Sequence, residues 1–235
     1  MSIRQVDIEE KKEWEREIEL KRLGETSKIF GYGEDAFTLW ALNQHISDIL
    51  EKFQDETAPS DCLVFYRPSF GRHGKGNSAV FGEFDAIIVS LKNIYLIESK
   101  WDSFDEFTKD GFFLNPEQRL RHRIFSWYLT HWHRRYHNNW ERFEKEQQHN
   151  FAFKGKTIAP KGSLLAANLE FILTKSIEHC RGFSSDSVKN LLLFFYNAEK
   201  SKPPTKISRN FELISIDYSK EIKGNFVTLL NEMLA

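Results

Sequence analysis

Between residues 34 and 97 the apolar side chains change from a helical to an extended spacing, and this change constrains the fold more than any other feature. Over residues 34–53, apolar residues recur at steps of three and four, as on one face of an α-helix. The apolar runs then become short and are separated by turn-forming residues. These runs span Cys62–Tyr66, Phe81–Val89 and Ile94–Ile97. The order predicts one helix followed by three strands.

The second half of the chain predicts further helices and strands. A long helix is expected from about Pro116 to Gln147, since proline suits the first turn of a helix. The apolar runs Leu169–Leu173 and Leu191–Tyr196 indicate buried strands. An edge strand is expected over Phe211–Ile216 and a closing helix over Phe226–Leu234. These elements predict an α/β fold, in which one mixed central sheet carries helices on its faces.

The chain is expected to consist of two parts. Residues 5–23 are dense in Glu, Lys and Arg and stop at Gly24, which predicts a solvated helix. A charged surface helix is favoured over an arm that packs on a partner. Residues 1–30 are therefore expected to form a charged N-terminal helical extension, and residues 31–235 a single domain that is long enough to bury a core.

The composition indicates a globular protein that would bind its partners through local patches. Hydrophobic residues make up 40% of the chain. The formal net charge is −1, so no overall basicity indicates a nucleic-acid partner. The charged N-terminus lacks the apolar region of a signal peptide, and no uncharged apolar run approaches membrane-spanning length. Since Cys62 and Cys180 lack metal-type spacing, we expect reduced thiols, a cytoplasmic location and no membrane partner, with a homodimer left open.

The segment FGEFDAIIVSLKNIYLIESKWD contains two carboxylates that a β-hairpin can bring together. If the hairpin loop centres on Leu91–Lys92, Asp85 stands directly opposite Glu98. Lys100 shares the face of Glu98, because alternate side chains of a strand point the same way. A loop with an odd number of residues would place the two carboxylates on opposite faces of the sheet. The sequence therefore permits the cluster, and the register decides whether it forms.

Such a carboxylate pair would require compensation. Two ionised carboxylates with Cβ atoms roughly 5 Å apart destabilise a sheet unless a proton or a cation offsets their repulsion. A hard divalent cation suits the pair, Mg²⁺ above all and Mn²⁺ as the second choice. Asp85 and Glu98 would bind this ion, which would polarise a phosphate and lower the pKa of its bound water. Lys100 would hold the attacking water, and Glu34, at a helix start, could supply another carboxylate.

Asp85 and the triplet Glu98-Ser99-Lys100 resemble the motif of the PD-(D/E)XK phosphodiesterases, the restriction-endonuclease-like nucleases. The αβββαβ core of this family is similar to the element order predicted for residues 31–220. Many members have a helical glutamate before the strands, which Glu34 resembles, and a polar residue at the start of the following helix, which Gln118 resembles. The resemblance implies a three-layer restriction-endonuclease-like fold, with Glu34 as a further metal ligand and Gln118 as a supporting catalytic residue.

The motif departs from the family at one position and is unspecific when taken alone. Phe84 precedes Asp85, where the family pattern has proline. Further Glu-x-Lys triplets occur at Glu9/Lys11, Glu10/Lys12, Glu19/Lys21 and Glu221/Lys223. Only the Glu98 triplet ends an apolar strand that has an aspartate on the neighbouring strand. The alternatives are an ordinary ion pair at a strand end, a Glu34 charge that complements the helix dipole, and a Gln118 without function.

Two basic segments are candidates for contacts with nucleic-acid phosphates, which give affinity without reading the sequence. Those on the predicted long helix are Arg119, Arg121 and Arg123. Those in the glycine-rich loop between the first two strands are Arg67, Arg72 and Lys75. This loop lacks the Walker pattern of a nucleotide-binding loop. The alternatives are a solvated helix face and a flexible connection.

We expect a Mg²⁺-dependent DNA endonuclease with a role in restriction, repair or recombination, and DNA is favoured over RNA as its substrate. One alternative is a catalytically inactive nuclease-like fold that serves as a nucleic-acid-binding or assembly module. Another is an α/β protein that acts on a small phosphate-containing ligand, which a narrow enclosed pocket would favour. The acid–acid–lysine set favours the enzyme, because a structural role has no need for two repelling carboxylates.

Overall fold

The computed structural model describes residues 29–71, 78–102, 111–223 and 226–229. The strands of this part are β1 (Ile29–Tyr32), β2 (Leu63–Tyr66), β3 (Ser69–Phe70), β4 (Gly82–Glu83), β5 (Ala86–Val89), β6 (Ile94–Trp101), β7 (Val188–Tyr196), β8 (Glu212–Asp217), β9 (Ile222–Lys223) and β10 (Phe226–Leu229). The helices of this part are α1 (Gly33–Gln44), α2 (Ile46–Lys52), α3 (Pro116–His131), α4 (Trp140–Gln147) and α5 (Leu164–His179). The helix predicted over residues 5–23 lies outside the described residues.

Five strands form a mixed central sheet in the order β2-β5-β6-β7-β8. β5 pairs antiparallel with β2 and β6, whereas β7 pairs parallel with β6 and β8. The predicted α/β fold with one mixed central sheet flanked by helices is therefore confirmed, and β8 lies at the sheet edge as the sequence predicts. Two smaller sheets accompany it, one of β1, β10 and β9 and one of β3 and β4.

Helices cover both faces of the central sheet, because alternate side chains of β5 and β6 point to opposite sides. Ile88 belongs to the cluster formed with α1 and α2, which includes Phe37. Ile87 belongs to the cluster formed with α3, α4 and α5, which includes Phe125 and Leu169. Since both faces are covered, β5 is buried along its whole length and reads as a continuous apolar run. None of the described helices combines the length and the apolar character that spanning a bilayer requires.

The segment Leu169–Leu173, predicted as a strand, lies inside α5 instead. Ser163 caps this helix, because its side chain accepts the N–H of Ala166. The buried side chains of the helix recur at steps of three and four; they are Ala166, Leu169, Ile172, Leu173 and Ser176. The strand prediction is wrong because the short apolar run is one part of a longer helical period.

Two further predictions need correction. The long helix is continuous only as far as His131, where α3 ends; Asn138 adopts a positive φ of 58° before α4 begins. Such a left-handed residue cannot continue a right-handed helix. The prediction of a closing helix is wrong over Phe226–Leu229, because this segment forms β10 and pairs antiparallel with β1. The remaining residues of that prediction, 230–234, lie outside the described part of the chain.

Candidate active site

The hairpin of β5 and β6 places Asp85 beside Glu98. Ala86 pairs with Ile97, which is the register that follows from a loop centred on Leu91–Lys92. The regular pairing ends there, and just outside it the Asp85 N–H donates to the Ile97 carbonyl at 3.2 Å. The Asp85 carboxylate in turn accepts the Ser99 N–H at 2.7 Å. By the alternation of β6, the Glu98 side chain lies on the face that α3 covers, and its charge acts on Asp85.

Negative charge at Asp85 is poorly compensated by its surroundings. Burial and the charge of Glu98 raise the pKa of Asp85 to about 7, and the charge of Glu34 acts in the same direction. The hydrogen bond from Ser99 and the Lys100 ammonium lower this pKa, but do not offset the rise. Near neutral pH the site therefore either takes up a proton or accommodates a cation.

The Glu98 carboxylate is only 1% exposed and lies against the first two turns of α3. His122 Nε2 and Arg121 Nε lie 3.1 and 3.4 Å from Glu98 Oε1. Gln118 Nε2 donates to Glu98 Oε2 at 3.3 Å. The Gln118 amide is oriented by the helix cap, since its Oε1 accepts the N–H of Asn115 at 3.1 Å. An ionised carboxylate offers about four lone-pair sites, so these two hydrogen-bond contacts and one ion pair leave room for a further ligand.

Lys100 and Glu34 meet at the same edge of the sheet, although they belong to different layers. Lys100 Nζ lies 3.1 and 3.2 Å from the two carboxylate oxygens of Glu34. Glu34 stands in the first turn of α1, which packs on the face opposite α3. Burial raises the pKa of Glu34, and the charges of Glu98 and Asp35 act in the same direction, against the Lys100 ammonium. Glu34 is therefore electrostatically coupled to the carboxylate pair while it holds the lysine.

His122 is a member of this cluster that the sequence-based prediction leaves out. Its side chain is 2% exposed, and its Nδ1 lies 2.8 Å from Asn190 Oδ1 on β7. The nitrogen of the Asn190 side-chain amide donates to the Asn210 carbonyl, so its Oδ1 is the atom that faces His122 Nδ1. Nε2 is then the ring atom that faces Glu98. The spacing could have indicated this role, since His122 follows Gln118 by four residues and so lies on the same helix face.

The structure separates the predicted nucleic-acid-binding residues into different environments. Arg67 contacts the carboxylates of Asp35 and Glu83, whereas the predicted residues Arg72 and Lys75 lie outside the described part of the chain. Arg119 and Arg123 are exposed on α3. The chain thus does not offer one uniform basic stripe over its described residues.

Arg121 instead turns inward, toward the carboxylate cluster. Its side chain is 14% exposed, and its guanidinium carbon lies 5.7 Å from the centre of the Phe84 ring. Gly82 makes this position accessible, since a Cβ at Gly82 would come within 3.2 Å of Arg121 Nε. Apart from its ion pair with Glu98, Nε has no hydrogen-bond partner among the described residues. The side chain thus places a partly buried cationic group beside the candidate site.

The donor set fits a divalent cation held by two carboxylates. As the side chains stand, no group of three or more His, Cys, Asp and Glu residues in the described part of the chain is arranged to hold a metal ion. Glu34 is turned to Lys100, so Asp85 and Glu98 are the residues that would bind one. The repulsion that raises the Asp85 pKa is what a hard cation with oxygen ligands would remove.

Comparisons of the chain with protein-family models, with curated proteins and with solved structures find no match. What the cluster can do chemically is therefore inferred from its own side chains. Two carboxylates can hold a cation, Lys100 can bind or orient a water molecule, and Arg121 can neutralise charge on an anionic substrate. This combination suits the hydrolysis of a phosphate ester.

Proposed function

We propose that this chain is a metal-dependent nuclease that hydrolyses phosphodiester bonds, with Asp85, Glu98 and Lys100 as its catalytic residues. The observation that carries the proposal is the position of Asp85 beside Glu98, with the Asp85 pKa raised to about 7 by burial and by the Glu98 charge. A fold stabilised for its own sake gains nothing from burying the Asp85 carboxylate beside a second one. Functional sites are where such strain is retained.

The arrangement of layers supports a restriction-endonuclease-like core. α1 and α2 precede β2, β5 and β6, and α3 follows them before the parallel strand β7. This order is similar to the αβββαβ arrangement of the PD-(D/E)XK phosphodiesterases. α4 and α5 are additional elements between α3 and β7. The acidic residues and the lysine match the family's motif, which supports the proposal by analogy.

Each residue of the cluster has a distinct role in the proposed reaction. Asp85 and Glu98 hold Mg²⁺ or Mn²⁺, which supplies polarisation of the phosphate and a lowered pKa of bound water. Lys100 orients the attacking water and offsets the negative charge that develops on the phosphate. Arg121 adds a second positive charge from the α3 side of the cluster.

Three further side chains position these catalytic residues. Gln118 and His122 hold the Glu98 carboxylate from two sides. Glu34 holds the Lys100 ammonium and keeps it beside the carboxylate pair. Metal-binding residues are commonly oriented by such outer hydrogen bonds, and their loss lowers activity without removing a ligand. Glu34 is therefore assigned to lysine positioning, and it becomes a metal ligand only if its side chain turns.

DNA is the proposed substrate in preference to RNA, in a restriction, repair or recombination role in the cytoplasm. The exposed arginines of α3 support a nucleic-acid backbone as the partner, since guanidinium groups bind phosphates without reading the sequence. An inactive nucleic-acid-binding or assembly module is the rival hypothesis.

A digestion assay distinguishes the enzyme from the rival module. Supercoiled plasmid, linear duplex, single-stranded DNA and RNA would be incubated with the protein in Mg²⁺, Mn²⁺ or EDTA. We expect DNA cleavage in either metal, no cleavage in EDTA, and a loss of at least about a hundredfold in Asp85→Asn and Lys100→Ala. Lys145→Ala is the matched control, because Lys145 is exposed on α4, away from the cluster. Cleavage by Asp85→Asn at the wild-type rate would overturn the proposal, and nucleic-acid binding without cleavage would favour the module.

A further inference from the structure

A pocket of about 420 Å³ lies next to the carboxylate cluster, between α3 and the turn that precedes β8. Arg119 and Arg123 line it from α3, and Arg209 lines it from the turn. Among the described residues, no acidic side chain lines the pocket, and none of these three arginines forms an ion pair with a described carboxylate. The pocket therefore concentrates positive charge that the described protein leaves uncompensated.

The floor of this pocket is a hydrogen-bonded unit. His122 and Asn190 line the pocket and are joined by the bond between Nδ1 and Oδ1. Asn190 also donates to the Asn210 carbonyl at 3.3 Å, which ties the turn to β7. The ring of Phe211 meets the ring of His122 edge-on, with 4.6 Å between their centres. The pocket therefore has a fixed polar floor, which a chance depression between surface arginines would lack.

The turn that carries Arg209 is also fixed from its other side. The Leu114 N–H donates to Ser208 Oγ at 2.8 Å. The Phe211 N–H donates to the Ser208 carbonyl at 3.3 Å. Ser208 itself is only 4% exposed. Arg209 thus extends from an anchored backbone, so less conformational freedom is lost when its guanidinium binds a ligand.

We propose that this pocket binds a phosphate group of the nucleic-acid strand other than the phosphate that is cut. The inference rests on the proposed function. Uncompensated guanidinium groups match a phosphate, because their planar donors bind its oxygens in pairs. His122 contacts Asn190 of the pocket floor on one side and Glu98 on the other, so the pocket and the candidate active site are separated by a single side chain. The phosphate can be an internal diester or a terminal monoester, and the experiment separates these two sources.

Binding would be measured by fluorescence anisotropy with labelled single-stranded and duplex DNA oligonucleotides in EDTA, where no metal-dependent cleavage competes. Arg119→Ala, Arg209→Ala and the double variant would be compared with the wild-type protein. Arg134→Ala is the matched control, since Arg134 is exposed and lies beyond the far end of α3. We expect each pocket variant to bind about tenfold more weakly and to show a salt dependence reduced by about one counterion. The control should behave like the wild-type protein.

Three forms of each oligonucleotide identify the source of the phosphate: a 5′-phosphate, a 3′-phosphate and hydroxyl groups at both ends. An equal loss of affinity for all three forms indicates an internal diester. A loss that requires one of the phosphorylated ends indicates a terminal monoester. If both pocket variants match Arg134→Ala in affinity and salt dependence for every form, or if the folded wild-type protein binds none of the forms, the pocket proposal is overturned.

The outcome can be separated from that of the proposed function. Cleavage by the wild-type protein together with unchanged binding by the pocket variants would overturn the pocket proposal and support the nuclease proposal. If the pocket variants bind more weakly than a wild-type protein that cleaves no substrate, the pocket proposal is supported and the nuclease proposal is overturned. Circular dichroism and thermal unfolding of each variant ensure that a loss of binding reflects the side chain and not the fold.

Discussion

The Glu34 carboxylate receives both of its described hydrogen bonds from the Lys100 ammonium, at 3.1 and 3.2 Å, across 66 positions of sequence. The pair joins α1, on one face of the central sheet, to the end of β6. On the same strand, Glu98 contacts α3, which covers the opposite face of the sheet. A lysine that must act beside two carboxylates needs such a counter-charge to stay in place. The contact therefore connects the two layers at the point where the proposed chemistry takes place.

Glu34→Gln tests this positioning role. Gln keeps the size of the side chain, but its amide oxygen is a neutral acceptor. The Lys100 ammonium is therefore held less firmly than by the carboxylate. We expect kcat to fall by roughly tenfold to a hundredfold with little change in KM, as for a catalytic group that is slightly misplaced. Steady-state cleavage of an oligonucleotide measures both constants.

Asp35→Asn is the control for Glu34→Gln, because Asp35 is the next residue of α1 and contacts Arg67 instead of Lys100. It should leave kcat within about twofold of the wild-type value. A Glu34→Gln variant with wild-type kcat, or one in which only KM changes, would show that the contact does not position the lysine.

The metal-free protein should become less stable, relative to Asp85→Asn, as the pH rises. The pKa of Asp85 is about 7 in the folded protein, against an ordinary value of 3.8. The folded state therefore binds this proton more tightly than the unfolded state, and the stabilisation that the proton provides is lost as the pH rises from 4 through 7. The neutral amide of the Asp85→Asn variant would mimic the protonated carboxyl group and escape this loss. We expect Asp85→Asn to be more stable by on the order of 2 kcal/mol at pH 8, and about equal to the wild type at pH 4.

Thermal unfolding in EDTA at several pH values measures the Asp85 effect. The difference in Tm between the variant and the wild-type protein should grow between pH 4 and pH 7 and then level off. A constant difference across this range would mean that the Asp85 carboxyl group does not carry the shifted pKa. Lys145→Ala again serves as the control and should show no such trend.

Divalent metal should stabilise the wild-type protein and not the variants of its two ligands. A ligand that binds only the folded state raises the free energy of unfolding by about 2.7 kcal/mol at 100 times its Kd. We expect Mg²⁺ or Mn²⁺ to raise Tm at pH 8, to raise it less at pH 6 where Asp85 holds a proton, and to have little effect on Asp85→Asn or Glu98→Gln. Calorimetry with each metal measures this. Equal stabilisation of the wild type and Asp85→Asn would place the metal elsewhere.

The local part of the site can be predicted from the sequence. The register of β5 and β6 follows from a two-residue loop between Ser90 and Asn93, where the Ser90 N–H donates to the Asn93 carbonyl at 2.9 Å. Once that loop is assumed, the period of a strand fixes which side chains share a face. Asp85 and Glu98 are thereby brought together by interactions within fourteen positions of sequence. The central sheet and its flanking helices follow similarly from the apolar periods.

The contacts of the site that join residues far apart in sequence cannot be predicted from such local patterns. The contact of His122 with Asn190 spans 68 positions, and no periodic pattern encodes the packing of α3 on β7 that creates it. Arg209 is likewise placed by hydrogen bonds of its turn to Leu114 and Asn190. The strand wrongly predicted over Leu169–Leu173 has a related cause, because a five-residue window cannot show that the apolar period extends over sixteen residues.

His122 offers a pair of matched variants that tests whether its contact with Glu98 matters for catalysis. The amide nitrogen of Gln lies near the position of Nε2, so His122→Gln keeps a donor for Glu98. The amide of Asn lies near Nδ1, so His122→Asn keeps only the contact with Asn190. Both variants lose the ring contacts with Phe84 and Phe211 and should be destabilised by a similar amount, about 1–3 kcal/mol.

Activity should separate the two variants of His122 although their stability does not. A buried Glu98 that loses its contact with residue 122 can turn away from the metal, so we expect kcat of His122→Asn to be about tenfold lower than that of His122→Gln. The apparent affinity for Mg²⁺, taken from the metal dependence of the rate, should weaken in the same variant. Equal kcat and equal metal dependence in two equally stable variants would show that His122 only fills space beneath α3. A specific loss in His122→Asn would show instead that the ring acts through Glu98, because this variant keeps the contact with Asn190 and loses the one to that carboxylate.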